Sequence, residues 1–268
     1  MRSALVREVI PGLVFRSALY GFLLLAIMVF PASAAPVVYP RVVNEYPHDA
    51  DAFTQGLAFV DGVLYESTGL YGQSSVRRVD LASGRVLRAQ ALSPNLYAEG
   101  LTVALGRLYQ LTWHAGIVFV RDREKLLQTG LFRYEGEGWG LAWDGARLVM
   151  SDGSDVLRFL DPESFAVTGT ISVHDEGTAV RRLNELEVID GLVYANVWQT
   201  TRIARIDPSD GRVLDWIELA ALVPPASDVA TPDVANGIAH DAATGHLLVT
   251  GKRWSLLYEL EVPAPVRR

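Results

Sequence analysis

The feature that most constrains this chain is a short unit that recurs five times after Gln55, each time a strand, a tight turn and a second strand. The first copy is Gln55-Gly56-Leu57-Ala58-Phe59-Val60, a turn at Asp61-Gly62, and Val63 to Thr68. The second runs from Glu99-Gly100-Leu101 through a turn at Leu105-Gly106 to Leu111-Thr112-Trp113. The third begins at Trp139-Gly140-Leu141, turns at Asp144-Gly145 and ends at Ser151-Asp152. The fourth begins at Asn184-Glu185-Leu186, turns at Asp190-Gly191 and ends at Val197-Trp198. The fifth begins at Asn236-Gly237-Ile238, takes a longer turn through Gly245, and ends at Thr250-Gly251-Lys252. Asp-Gly between alternating apolar runs is a strong short-range hairpin signal, because both turn residues must take positive φ.

The copies start 44, 40, 45 and 52 residues apart. Two more strand-like runs follow each hairpin, as in Ser75–Asp80 and Val86–Ala89, or Arg202–Asp207 and Gly211–Leu214. Four strands at such a period make a propeller blade. An open β-sandwich with chance similarity is the competing architecture, and five aligned hairpins argue against it. Helical periodicity is absent, apart from a turn or two expected near Glu218–Leu222. The fifth copy has no room for a fourth strand before the chain ends. The unassigned strand around Val37–Tyr46 is therefore expected to fill that place, which closes the ring and hides its open edges. The fold class expected is all-β: a single five-bladed propeller over 35–268.

Residues 1–34 stand apart from that domain. Arg2, Arg7 and Arg16 precede an apolar run from Ala18 to Phe30, and Ala32-Ser33-Ala34 supplies small residues at cleavage spacing. That order reads as a secretory signal peptide, with a retained membrane anchor as the alternative. The expectation is an exported protein, periplasmic or secreted, with no membrane association after cleavage. The chain has no cysteine, so disulfides and thiolate metal sites are excluded. Its net charge of −7, or 21 basic against 30 acidic residues once the leader is removed, argues against nucleic acid as a partner.

In a blade the start of the first strand and the end of the second meet at one face of the ring. Those ends carry Phe53, Gln55 and Thr68 in blade one, and Tyr97, Glu99 and Trp113 in blade two. Blade three adds Trp139 and Asp152, blade four Asn184, Glu185 and Trp198, and blade five Asn236, Lys252 and Trp254. An apolar pocket with a few convergent polar groups is the default binding site. For Trp113, Trp139 and Trp198 the residues alone leave pocket lining and packing between blades both open, while Trp143 and Trp216 are expected between blades. Gln55 and Asn184 suit backbone capping as well as a site, and Lys252 beside Arg253 suits a solvated face.

Longer motifs narrow the choice. Phe53-Thr54-Gln55-Gly56-Leu57, Glu66-Ser67-Thr68-Gly69-Leu70-Tyr71-Gly72, Glu99-Gly100-Leu101-Thr102 and Leu111-Thr112-Trp113 are joined by Gly136-Glu137-Gly138-Trp139-Gly140-Leu141. Leu183-Asn184-Glu185-Leu186-Glu187, Val193–Trp198 and Val249-Thr250-Gly251-Lys252-Arg253-Trp254 complete the set. Together, in order from about Tyr46 to Leu260, they resemble the plant-type glutaminyl-peptide cyclotransferases of plants and bacteria. The resemblance implies a five-bladed propeller, in agreement with the repeat count. It also implies an enzyme that cyclises the N-terminal glutamine of peptides or proteins to pyroglutamate and releases ammonia, as a monomer and without a cofactor. By the family pattern Glu99 is the catalytic acid/base, with Gln55, Asn184 and Lys252 around the reacting amide. Phe53, Tyr97, Trp113, Trp139 and Trp198 line the pocket. The chain departs from that pattern at Tyr97-Ala98, where Phe-Gly is expected. No metal is required, and His48, His114, His174, His240 and His246 show no ligand spacing; His114 is expected at the rim. A non-catalytic propeller binding a peptide or small ligand, and a metal-dependent sugar-lactone hydrolase, are the other classes open to such a fold.

Overall fold

Strand alternation and turn chemistry produce the repeat as read. The computed structural model describes residues 34–224 and 234–265, so the expected leader lies outside the described residues except for Ala34. Five antiparallel blade sheets follow one another along the chain, with a two-stranded ribbon of His174–Asp175 and Thr178–Ala179 between the third and the fourth. Blade one is Thr54–Val60, Val63–Thr68, Ser75–Val79 and Val86–Ala91; blade two is Ala98–Ala104, Arg107–Thr112, Ile117–Asp122 and Gln128–Arg133. Blade three is Leu141–Trp143, Leu148–Met150, Val156–Leu160 and Val167–Ser172; blade four is Leu183–Ile189, Leu192–Val197, Arg202–Ile206 and Val213–Glu218. Blade five takes Ala235–Asp241, His246–Gly251 and Leu256–Glu261 from the end of the chain and Arg41–Pro47 from its beginning. The turns at Asp61-Gly62 and Asp190-Gly191 hold both residues at positive φ, which is what the two-residue hairpin needs.

The first strand of each blade is innermost. These strands pack in a closed cycle, one against two, two against three, three against four, four against five and five against one. The apolar core is correspondingly divided into five clusters, one at every junction between neighbouring blades. Leu101 and Leu108 meet Ala58 and Tyr65 at the first junction, for example, and Ile238 and Val249 meet Ile203 and Ile217 at the fourth. Each fully buried aliphatic side chain contributes about 1.5–3 kcal/mol, so stability is spread round the ring rather than held in one centre.

Closure occurs as expected, with one difference. Arg41–Pro47 pairs antiparallel with Leu256–Glu261, Val42 facing Leu260 and Tyr46 facing Leu257. Val37–Val38, expected to extend the same strand, instead runs parallel to the outer strand of blade four, Val37 facing Trp216. Pro40 lies between the two segments and lets the chain change sheets there. A buried Arg205–Asp215 pair, with contacts at 2.5 and 2.6 Å, leaves the Arg205 Nη1 to hold the Pro263 carbonyl at 2.7 Å. The described segments at either end of the propeller are thus held on blades four and five. The segment after Glu218 forms a turn, with the Leu222 N–H on the Leu219 carbonyl at 2.8 Å.

Candidate active site

The site is built from a defect repeated in the inner strands. Pairing slips between Thr54 and Gly56, Ala98 and Leu101, Leu183 and Leu186, and Ala235 and Ile238, so four inner strands carry a bulge at the same register. A bulge re-aims a side chain and leaves backbone N–H groups without ladder partners. The re-aimed residues are Gln55, Glu99, Asn184 and Asn236. In blade three the equivalent Trp139 precedes a ladder that starts only at Leu141. The freed donors are taken up by neighbouring blades. The Gly100 N–H bonds the Trp139 carbonyl at 2.7 Å, and the Gly237 N–H bonds Asn196 Oδ1 at 3.0 Å. Glu185 reaches across the channel to accept the N–H groups of Leu57 at 3.1 Å and Ile238 at 2.7 Å. Glycine is required where inner strands nearly touch: a Cβ on Gly140 would lie 2.0 Å from the Asn184 carbonyl oxygen, and one on Gly100 would lie 2.7 Å from the Gly140 Cα.

Of the re-aimed side chains, Gln55, Glu99 and Asn184 converge on a cavity of about 320 Å³. Its walls hold Phe53, Gln55, Tyr97, Glu99, Trp113, Trp139, Asn184, Trp198 and Lys252, together with Gln199 and Val234. Glu99 is buried and accepts a hydrogen bond from Gln55 Nε2 at 2.9 Å. The amide of Gln55 is oriented from behind, since Asn236 Nδ2 donates to its Oε1 at 3.2 Å. Burial pushes the Glu99 carboxyl well above the usual carboxylate range, Lys252 pulls the other way, and Glu137 adds to the rise. Burial likewise brings the Lys252 ammonium down to about 8 against the pull of Glu99. Its Nζ stands 4.8 Å from the centroid of the Phe53 ring. Asn184 contributes a buried Oδ1 with no hydrogen-bond partner among the described residues.

The aromatic walls interlock edge to face. Trp139 and Trp198 lie 5.7 Å apart at 89°, and Tyr97 contacts Trp113 at 5.5 Å and Tyr71 at 5.3 Å. Ala98 is fully buried, pairs with Thr112 and gives its N–H to Ser74 Oγ at 3.0 Å. Its methyl fits without a glycine-only backbone, since its φ is not positive. His114 is half-exposed and stacks on Trp113 at 3.8 Å, a rim position.

Not every residue at this face enters the cavity. Trp254 is wholly buried in the junction of blades four and five, against Gly251. Asp152 pairs with Arg158, Thr68 bonds Ser75 Oγ at 2.8 Å, and Glu185 is spent on the two backbone donors described above. Val234 and Gln199 were missed. Val234 precedes Asn236 by two, as Phe53 precedes Gln55 and Tyr97 precedes Glu99, so the repeat register contained the signal. Gln199 carried none; it lines the cavity at positive φ, its Oε1 held by Arg182 Nη1 at 2.7 Å. Among the described residues no three His, Asp or Glu side chains are grouped to hold a metal ion.

Comparison with known proteins agrees with the geometry. A glutaminyl-peptide cyclotransferase of Arabidopsis thaliana is 45% identical over 226 residues, covering 83% of this chain and 71% of that protein. The crystal structure of Myxococcus xanthus glutaminyl cyclase superposes with a TM-score of 0.79 at 38% identity, covering 85% of this chain and 98% of its own. The family model described as glutamine cyclotransferase matches residues 18–262. This five-bladed propeller therefore belongs to the glutamine cyclotransferase family of enzymes.

Proposed function

We propose that the protein converts the N-terminal glutamine of peptides or proteins to pyroglutamate, with Glu99 moving the proton and no metal taking part. What carries this reading is the buried Glu99 carboxyl, fixed by Gln55 at 2.9 Å inside an aromatic cavity that also holds the Lys252 cation. The substrate's α-amine nitrogen forms a bond to the δ-carbon of its own side chain. Enclosure by Trp113, Trp139 and Trp198 favours the curled chain that this intramolecular attack needs. Glu99 takes a proton from the amine, the tetrahedral oxyanion forms, and the same carboxyl returns the proton as the bond to the side-chain nitrogen breaks and ammonia leaves. An ordinary carboxylate is a poor base for an amine that titrates near 7.7–8.0, and the upward shift of Glu99 narrows that gap. Lys252 faces the developing oxyanion as its electrostatic partner. The unspent Asn184 Oδ1 accepts an N–H of the bound glutamine.

The test is ammonia release from a Gln-initiated peptide, with and without a strong chelator. Release that survives chelation is expected. Absence of release would leave a peptide-binding propeller, and loss on chelation would overturn the metal-independent chemistry. Export is part of the same proposal, and a mature N-terminus at Ala35 in periplasmic or secreted protein is the result expected.

A further inference from the structure

Glu137 neither gives nor takes the proton in the transfer above, and it stands at the register that furnishes Phe53, Tyr97 and Val234 elsewhere in the ring, two residues before the re-aimed position. Its carboxylate is not part of the cavity wall. Instead Oε2 accepts the indole N–H of Trp113 at 2.7 Å and that of Trp139 at 2.8 Å. Oε1 lies 3.5 Å from Nδ1 of His114, whose ring covers Trp113. Two cavity walls from two different blades therefore hang on one carboxylate.

The loop that carries Glu137 is itself tied down. The Tyr134 hydroxyl bonds the Thr112 carbonyl, and the Gly138 N–H bonds the Trp113 carbonyl at 3.3 Å. An indole can turn about two side-chain torsions, and a bond at its far edge removes that freedom. Hydrogen bonds to an ionised acceptor are the strong ones, so a carboxylate here holds what an amide or a water would hold less firmly.

We propose that Glu137 is a positioning residue of the substrate pocket, locking the Trp113 and Trp139 indoles into one rigid corner against which the N-terminal glutamine is curled. This rests on the cyclotransferase reading, and its test separates the two. Glu137→Ala and Glu137→Gln are compared with the parent on a Gln-initiated peptide. The alanine variant is expected to raise KM by roughly tenfold to a hundredfold, the equivalent of one charge-assisted hydrogen bond, with the glutamine variant between it and the parent. In a Trp113→Phe/Trp139→Phe background, which has no indole N–H to hold, the same substitution is expected to change KM less than about twofold, since coupling needs both partners. Independently of catalysis, intrinsic tryptophan emission of both Glu137 variants is expected to shift and to become more open to acrylamide quenching. KM within twofold of the parent, an undiminished effect in the phenylalanine background, or unchanged emission would each overturn the assignment. Should the parent itself release no ammonia, the cyclotransferase reading fails, while the emission measurement still decides whether Glu137 holds the indoles.

Discussion

At the scale of single residues the site works by placing charge where water is scarce. The folded pKa of Glu99 is raised, so the stability tied to this group is fully present below the unfolded value of about 4.5. It is lost as pH rises through the folded value, because the fold must then ionise a buried carboxyl. Glu99→Gln is therefore expected to lose about 10²–10⁴ in turnover while melting higher than the parent at neutral pH, a gain that vanishes toward pH 4. Thermal scans at two pH values together with ammonia release check both halves, and near-parental turnover would remove Glu99 from its role. Lys252 has the opposite sign. Its folded pKa of about 8 lies below the unfolded value of 10.5, so its burial costs stability below pH 8 and the cost is relieved as pH rises from 8 toward 10.5. If its cation serves the oxyanion, kcat/KM has an alkaline limb near pH 8 from Lys252. Lys252→Arg keeps the charge, and that limb is expected to disappear. A limb unmoved by the substitution would take Lys252 out of that role.

Elements impose the next level of order. The inner-strand bulges of blades one, two and four turn Gln55, Glu99 and Asn184 inward, and Glu185 takes up the donors left open at the bulges of blades one and five. Glu185→Gln is expected to cost about 1–3 kcal/mol in urea unfolding, since an amide nitrogen cannot accept one of the two N–H groups. Activity per folded molecule is expected to fall far less than in Glu99→Gln; an equal loss would place Glu185 in the chemistry. Gly140→Ala drives a methyl into the Asn184 carbonyl and is expected to cost about 1–3 kcal/mol by forcing blades three and four apart. Because Trp139 and Asn184 flank that contact, its KM is expected to rise as well.

For the whole molecule, closure is the property at risk. The strand Arg41–Pro47 covers the edge of Leu256–Glu261, and the Arg205 contact to Pro263 holds the other end. A chain beginning at Ala35 is expected to stay soluble and unfold in one step. One beginning at His48 exposes that edge and is expected to aggregate, as size-exclusion chromatography would report. A soluble, cooperative His48 start would mean that the ring does not need its closing strand.

The number of blades, the hairpin turns and the source of the closing strand were legible in the sequence, because they follow from one local pattern and its spacing, whereas the nine cavity-lining side chains were singled out by the family resemblance, spacing having left several of them open. The same pattern placed Glu99 and Trp113 at one mouth: a hairpin returns its second strand to where the first began. Which of the equivalent positions face the cavity depends on how the blades pack. Trp254 shares the mouth in sequence but is drawn into the junction of blades four and five, and Glu185 is consumed by two backbone donors from other blades. Glu137 acquires its two indoles only when the end of blade two meets the start of blade three. Such contacts depend on how the blades close on one another, and spacing along the chain carries no term for the distance across a ring.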